Sequence, residues 1–332
     1  MPETRVPFQT VVDALLDSKD FPRRYLPYFS DIDPASLALL LEAWPRVKPT
    51  RKRSLFNQLE ALAVSDTLVS FDDLARALLT DVDSEVRSRA IRLLVDCDDQ
   101  KLVPAYIKIL ERDDDPAVRA ETARALGKFV MLGELEEISA HHLHGAEEAL
   151  FRNESRDGDA DVRRAALESL GFSSRLEVPT LIESAFRRAD PDWRASALIA
   201  MGRSNDDRWQ DEVLSMLLND LPPVQLAAVQ AAGELALTSA GPILLQILEE
   251  EENDDVISAA IWSLSQIGGE DARIYIANLL DQTDAENEDL TDFLQEALEN
   301  LAFTEDLERF ELLSFDADEI DIADEELDEE DK

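Results

Sequence analysis

The sequence predicts an all-α fold, an α-solenoid of about eight antiparallel helix pairs. A helical motif recurs along the chain with most copies 31–34 residues apart, as in repeat architectures. Only 10 glycines and 14 prolines occur among 332 residues, which is poor material for the tight turns of a β fold. At 45% hydrophobic residues the chain can bury a core, and its single cysteine excludes a disulfide framework and a cysteine-rich zinc site.

The motif consists of an aspartate, an apolar anchor three residues later, and an arginine directly after the anchor. The aspartate and arginine of the four clearest copies are Asp83 and Arg87, Asp115 and Arg119, Asp159 and Arg163, and Asp190 and Arg194. Their anchors are Val86, Val118, Val162 and Trp193, followed by the weaker anchors Val224, Val256 and Leu290. Successive anchors lie 32, 44, 31, 31, 32 and 34 residues apart.

Each copy predicts one helix. The residues four and eight past the anchor are small or apolar and share its helix face. The aspartate is expected to cap the helix N-terminus and to pair with the arginine four residues later. Glycines nine past the anchor are expected to lie at or near the helix end and stop it: Gly127, Gly171, Gly202 and Gly233.

The elements follow in order. Residues 1–33 are expected to form an N-terminal helical cap, and residues 34–302 the solenoid, which starts with a divergent pair at 34–43 and 51–63. In each pair the anchor helix comes second, and the helices that come first are predicted at 71–79, 101–111, 176–188, 209–219, 241–251 and 271–281. The 44-residue spacing predicts an insertion of about a dozen residues that maps to a loop. A capping helix is expected at 303–315, and a disordered acidic tail at 316–332, which holds 11 acids and one lysine.

The recurrence in register of Asp-x-x-Val-Arg-x-x-Ala-x-x-x-Leu-Gly resembles HEAT-like repeats, especially the short phycobilin-lyase type. The resemblance covers residues 80–235 well and extends to about 302 in degenerate form. It implies the superhelical fold described above, in which the second helix of each pair lines a concave face. The His-Glu motifs of HEAT-like iron hydroxylases are absent, so that activity is not implied.

The net negative charge of the chain limits the kinds of partner that it is expected to bind. The chain carries 73 acidic and 32 basic residues, and its first 60 residues are nearly balanced at +1. The remaining excess of negative charge repels phosphate backbones and anionic membranes and favours basic or neutral proteins or peptides. The same acidity also fits a second interpretation, in which it only keeps the protein soluble or marks a salt-adapted host. With no signal peptide and no apolar span, a cytoplasmic protein without membrane insertion is expected. One basic cluster is either a site for an acidic partner or a solvated helix start: Arg46, Lys48, Arg51, Lys52 and Arg53.

Little in the sequence indicates catalysis, so no catalytic residue and no cofactor is predicted. The three histidines, His141, His142 and His144, have no nucleophile motif beside them, and no phosphate-binding glycine loop is present. If residues 134–151 form one helix, Glu137 and Glu148 share a face with His141 and His144 and could bind a divalent metal. The same pattern fits an ordinary solvated face, so no metal-binding residue is predicted, and a divalent-metal-binding regulatory repeat protein stays an alternative function.

A protein-binding surface is the preferred prediction, and the function expected is that of a non-enzymatic scaffold. Positions three and six past each anchor point away from the anchor stripe, so the inner face is expected to be charged at its start and apolar from Ile199 onward. Trp262 is the best single candidate for a binding residue, unless it is buried between repeats or under the C-terminal tail. The predicted binding residues are Arg92, Arg124, Ile199, Ala227, Gln230, Ala259, Trp262 and Phe293. The resemblance leaves open an alternative, a bilin-lyase-like accessory enzyme or chromophore chaperone.

Overall fold

The computed structural model describes residues 6–17, 20–284 and 287–321 of the chain. All regular structure in these ranges is helical, and successive helices form the eight pairs of an α-solenoid, which confirms the predicted fold class. The chain divides into two compact units, Met1–Ser173 and Ser174–Lys332.

The first unit opens with a single helix and continues with four pairs. Short 3₁₀ helices at Arg23–Phe29 and Trp44–Arg46 flank the second helix. Its α-helices are α1 (Phe8–Leu16), α2 (Pro34–Ala43), α3 (Pro49–Ser65), α4 (Asp72–Leu78), α5 (Ser84–Arg92), α6 (Leu102–Arg112), α7 (Pro116–Glu134), α8 (Ala140–Arg156) and α9 (Ala160–Leu170).

The second unit contains the other four pairs, with 3₁₀ turns at Asp207–Trp209 and Thr238–Ala240. Its α-helices are α10 (Val178–Phe186), α11 (Pro191–Arg203), α12 (Gln210–Met216), α13 (Pro222–Glu234), α14 (Gly241–Glu250), α15 (Asp254–Ile267), α16 (Glu270–Gln282) and α17 (Glu288–Asp321).

Two predicted boundaries differ from the structure. The extra residues of the 44-residue spacing do not form a loop, because they lengthen α7 to 19 residues and α8 to 17. The last helix, α17, runs through both the expected capping helix at 303–315 and residues 316–321, which were assigned to the acidic tail. The rest of that predicted tail, 322–332, lies outside the described residues.

The anchor helices form one layer within each unit, where α3, α5, α7 and α9 contact one another in turn, as do α11, α13, α15 and α17. The anchors are buried as their period requires, with Val86, Val118 and Val162 at 0% exposure and Trp193 at 4%. In α17 the register differs: Leu290 is half-buried, and the fully buried positions are Leu294, Ala297 and Leu301.

None of the glycines nine past the anchors stops its helix through a positive φ angle, as a glycine C-cap does, and three of them let neighbouring helices approach closely. Gly127 lies in the middle of α7, where an added Cβ would stand 3.2 Å from the Ser169 Cα of α9. A Cβ added at Gly202 would stand 2.9 Å from the Ala231 Cα, and one added at Gly233 would stand 2.8 Å from the Ser263 Cα. Gly171 follows α9 with φ −51°, which any residue adopts. Close contact between neighbouring helices therefore explains Gly127, Gly202 and Gly233 better than helix termination does.

The repeat aspartates lie at the helix starts, where each accepts a hydrogen bond from a backbone N–H of the first turn: Asp83 from Glu85, Asp115 from Ala117, Asp159 from Asp161 and Asp190 from Asp192. Another aspartate two residues earlier, at Asp81, Asp113 and Asp157, accepts from the backbone N–H of Asp83, Asp115 and Asp159 respectively.

Two of the repeat arginines, Arg87 and Arg119, reach the following repeat, in contrast to the ion pair expected within their own helix. Arg87 forms a two-pronged pair with Asp113 at 2.7 and 2.6 Å, and Arg119 forms one with Asp157 at 2.8 and 2.9 Å. Burial disfavours the ionised form of Asp157, but the nearby Arg119 and Arg163 favour it, and the pKa of Asp157 is lowered. Arg194 donates to the backbone carbonyl of Arg188 at 3.1 Å. Arg87 and Arg119 thus tie consecutive repeats together, whereas Arg163 and Arg194 contact the segments that precede their own helices.

Candidate functional site

A groove in the second unit crosses the layer of anchor helices. It encloses about 550 Å³ between α11, α13 and α15, and we call it the Trp262 groove. Its lining residues come from all three helices: Ile199, Arg203, Leu226, Gln230, Glu234, Asp255, Ser258, Ala259, Trp262, Ser263 and Gln266. Among the four tryptophans, Trp44, Trp193 and Trp209 are buried, whereas Trp262 is half-buried and lines the groove.

The electrostatic character of the Trp262 groove is acidic. Burial raises the pKa of Glu234, and the nearby guanidinium of Arg203 opposes that rise only in part. Asp255 adds a second carboxylate to the wall. Residues 209–272 contain 12 acidic residues and no lysine, arginine or histidine. The groove lining therefore combines the apolar Ile199 and Trp262 with two carboxylates and one cation, Arg203, which leaves an excess of negative charge that a partner's cation would compensate.

The structure brings together four of the predicted binding residues in this groove: Ile199, Gln230, Ala259 and Trp262. Ala227 is not available for binding, because at 2% exposure it is buried between helices. Phe293 is half-buried on α17 and lies outside the groove lining. The position three past the anchor is buried in three consecutive repeats, at Ala165, Ser196 and Ala227.

The two remaining predicted residues, Arg92 and Arg124, lie in the first unit on a separate groove of about 370 Å³ between α5 and α7. We call it the Tyr106 groove. Its other lining residues are Ile91, Leu94, Val95, Tyr106, Glu121, Ala125, Lys128 and Phe129. Arg92 pairs with Glu60 at 3.0 Å and with Glu121 at 3.6 Å, and Arg124 lies 3.9 Å from Glu121.

Sequence reasoning missed the residues ten past each anchor. Arg203, Glu234 and Gln266 line the Trp262 groove, and Lys128 lines the Tyr106 groove. They lie one helical turn beyond the position six past the anchor, so the same periodicity extended by four residues identifies them. Tyr106 is different, because it lies on a first helix and no signal in the repeat indicates it.

The histidine cluster does not have the geometry that metal binding required. Residues 134–151 are not one helix: α7 ends at Glu134, Glu136 has φ 61°, and α8 starts at Ala140. Glu137 therefore lies outside the helix that carries His141 and His144. Across the part of the chain that the structure describes, no group of three histidine, cysteine or acidic side chains is placed to hold a metal ion.

The basic cluster at residues 46–53 is largely used inside the protein. Lys52 is buried at 5% exposure, pairs with Asp81 at 2.9 Å and lies 4.8 Å from the centre of the Trp44 ring. Arg53 pairs with Asp83 at 2.9 Å, and Arg51 donates to the Asp17 carbonyl at 3.4 Å. These contacts leave less of the cluster for an acidic partner than its sequence indicates.

The stacked helix pairs define the class of this fold, an α-solenoid. A profile of HEAT repeats matches residues 71–143, 178–265 and 211–299, which together exceed half of the chain. The chain therefore belongs to the HEAT-repeat family, in agreement with the resemblance seen in its sequence. No curated protein matches it.

Similar solved structures include the complex of CpcE and CpcF of phycocyanin lyase from Nostoc sp. PCC7120, at 21% identity and TM-score 0.45, covering 69% of this chain and 94% of that one. Human deoxyhypusine hydroxylase in complex with glycerol is similar at 15% identity and TM-score 0.33, covering 78% and 95%. Kap121p bound to Pho4p is similar at 15% identity and TM-score 0.42, covering 90% and 38%. None of these similarities is close enough to transfer a function.

Among the described residues, no helix is both long and apolar enough to cross a membrane.

Proposed function

We propose that this protein is a non-enzymatic scaffold whose Trp262 groove binds a protein or peptide segment carrying a large apolar side chain next to a basic one. The observation that carries the proposal is the half-buried Trp262 in a groove whose nearby carboxylates are Glu234 and Asp255. Tryptophans in such settings supply much of the binding energy of protein interfaces.

Charge supports a basic partner. Glu234 already bears a desolvation cost, seen in its raised pKa, and a lysine or arginine of the partner would offset that cost. The 12 acids in residues 209–272, with no basic residue among them, would also steer a cationic segment toward this part of the chain.

A random peptide library selected against the full-length chain tests the proposal. The selected peptides are expected to contain an arginine or lysine within a few residues of a leucine, phenylalanine or tryptophan. Ala259→Leu fills the groove and should weaken binding of these peptides at least tenfold, as should Trp262→Ala. The matched control is Ala125→Leu in the Tyr106 groove, which should leave their affinity unchanged. Acidic selected peptides, or equal losses from Ala259→Leu and Ala125→Leu, would contradict the proposal.

The pH dependence of the same binding gives a second readout. A bound cation favours the ionised form of Glu234, so binding releases a proton and affinity should rise with pH through the raised pKa of the free protein. Arg203 on α11 also acts on this carboxyl, and Asp255 on α15 lines the same groove. Glu234→Gln should flatten the profile between pH 4.5 and 7.5 in fluorescence anisotropy. A profile that Glu234→Gln leaves unchanged would exclude Glu234 from the contact.

The bilin-lyase-like alternative rests on the type of repeat, and a cytoplasmic location rests on composition and patterning. Both stay predictions. Failure of the purified protein to bind or transfer a tetrapyrrole would exclude the first.

A further inference from the structure

The Trp262 groove carries its acidic site and its aromatic site on two different helices. Glu234 projects from α13, and Trp262 projects from α15, the next helix of the same layer. Within the described ranges Glu234 forms no ion pair, and no cation of the chain lies over the Trp262 ring. A partner that uses both side chains must therefore cross from one helix to the next.

A close contact fixes the register between these two helices. A Cβ added at Gly233 would stand 2.8 Å from the Ser263 Cα and closer still to the amide oxygen of Gln266. Gln266 on α15 is therefore level with Glu234 on α13, and Trp262 lies one helical turn before that level. Packed helix axes are about 8–10 Å apart and one turn rises about 5.4 Å, so the backbones of Glu234 and Trp262 are about 10–12 Å apart.

Uncharged polar side chains lie along this crossing. Gln230, Ser258 and Gln266 line the groove, and Gln230 and Ser258 are exposed. An α-helix lying over them would leave them without partners, because its own backbone groups already bond one another. A polyproline II chain has no internal hydrogen bonds, so its carbonyl oxygens can accept from these amides and this hydroxyl. The lining therefore suits an extended partner better than a helical one.

The distance between the two sites distinguishes the extended conformations. In polyproline II, residues three apart lie on the same face at about 9 Å, and a long basic side chain covers the remaining distance to Glu234. Residues on one face of a β-strand are about 7 or 13 Å apart, which fits the separation of Glu234 and Trp262 less well.

From these features we infer that the Trp262 groove binds a proline-rich segment in the polyproline II conformation, with a basic residue at Glu234 and an apolar residue three positions away at Trp262. Such a segment is already ordered before it binds, so it loses little conformational entropy in the groove. The inference rests on the proposed function and specifies the conformation and the residue spacing of its partner.

Proline peptides that act as rulers test the inference. In each peptide one, two, three or four prolines separate an arginine from a leucine, and a fluorescent label reports binding to the full-length chain by anisotropy. Two prolines place both side chains on one face, and this peptide should bind about tenfold more tightly than the others. The reversed sequences, with leucine first, are measured in parallel because the direction of the segment in the groove is open.

Protein variants assign each end of the ruler to its site. Glu234→Gln should remove the preference of the groove for arginine over the neutral isostere citrulline in the two-proline peptide. Trp262→Ala should remove the preference for leucine over alanine at the other end. The matched control is Glu249→Gln, an exposed acid on α14 outside the groove lining, which should change neither preference.

Equal affinity for all four spacings, or tightest binding with one, three or four prolines, would overturn the inference. Tighter binding of a helical peptide with arginine and leucine seven residues apart would also overturn it, in favour of a helical partner. In each case the proposed function stands if peptides selected from the random library still depend on Trp262. If neither the rulers nor the library peptides bind, both the inference and the proposed function fail.

Discussion

Lys52 on α3 makes the same kind of contact as Arg87 on α5 and Arg119 on α7. Each side chain reaches an aspartate that lies two residues before the cap of the next anchor helix, and for Lys52 this is Asp81. The side chains of Lys52 and Asp81 are 6% and 4% exposed, so their charges are compensated almost entirely by protein atoms. Removing one member of such a pair leaves the other buried and unpaired.

We therefore expect Lys52→Met to lower the free energy of unfolding of the first unit by about 3–5 kcal/mol at pH 7, measured by urea denaturation. Lys48→Met, an exposed lysine on the same helix start, is the control and should change it little. Burial disfavours the ionised Asp81, but hydrogen bonds from the Asp83 backbone, Lys52 and Trp44 outweigh this and lower its pKa.

The lowered pKa of Asp81 gives the prediction a pH dependence. A depressed carboxyl pKa stabilises the fold above the usual aspartate value, and that contribution is lost as pH falls through the Asp81 pKa. The difference between the wild-type protein and Lys52→Met should therefore shrink in strong acid. A difference that stays constant down to pH 2 would show that Lys52 contributes through its hydrocarbon chain and not through the ion pair.

At the scale of helices, close approach between neighbouring anchor helices depends on glycines and serines at matched positions. Gly233 faces Ser263, whose hydroxyl in turn donates to the Val229 carbonyl at 2.8 Å. Gly127 faces Ser169, which donates to the Ala123 carbonyl at 2.9 Å in the same way. The small size of the glycine and the serine brings the two helices close enough for the serine hydroxyl to donate to a backbone carbonyl of the neighbouring helix.

Gly233→Ala should destabilise the second unit, although alanine has the better helix propensity by about 1 kcal/mol. Its Cβ would stand 2.8 Å from the Ser263 Cα, and a backbone atom of a packed helix cannot move cheaply. We expect a net loss of about 1–3 kcal/mol in urea denaturation. The control is Gly241→Ala on α14, where no atom lies within 4 Å of the added Cβ and a gain of up to about 1 kcal/mol is expected. A neutral Gly233→Ala would mean that the two helices can separate without cost.

Helix positions followed from the sequence because their signals are local. The anchor stripe, the capping aspartates and the boundaries of Pro34–Ala43 depend on residues within one or two turns. The partner of Arg87 and the burial of Ala227 depend on the next repeat, so the sequence of one helix does not determine them. The same holds for the grooves: the face six past each anchor was predicted, but Tyr106 and its unpaired hydroxyl arise from a contact between helix layers.

At the scale of the whole molecule, negative charge is concentrated toward the C-terminus. Residues 1–173 hold 23 basic and 32 acidic residues, whereas residues 174–332 hold 9 and 41. Six acids lie within residues 249–255 alone, where only Asn253 interrupts them. Repulsion among like charges destabilises a compact state, and salt screens it, since the Debye length falls from about 30 Å at 0.01 M to about 3 Å at 1 M.

The urea midpoint of the second unit should accordingly rise between 0.01 and 1 M sodium chloride, and by more than that of the first unit. Neutralising three exposed acids together, with Glu249→Gln, Glu250→Gln and Glu252→Gln, should raise the midpoint at low salt and reduce the salt dependence. A matched triple variant in the first unit, Glu42→Gln, Glu136→Gln and Glu137→Gln, should do so less, because the surrounding charge is closer to balance. If both triples shift the midpoints equally at 0.01 and 1 M, the effect is not electrostatic repulsion. The acidity would then have to be explained by partner binding at the Trp262 groove or by solubility, and no longer by stability.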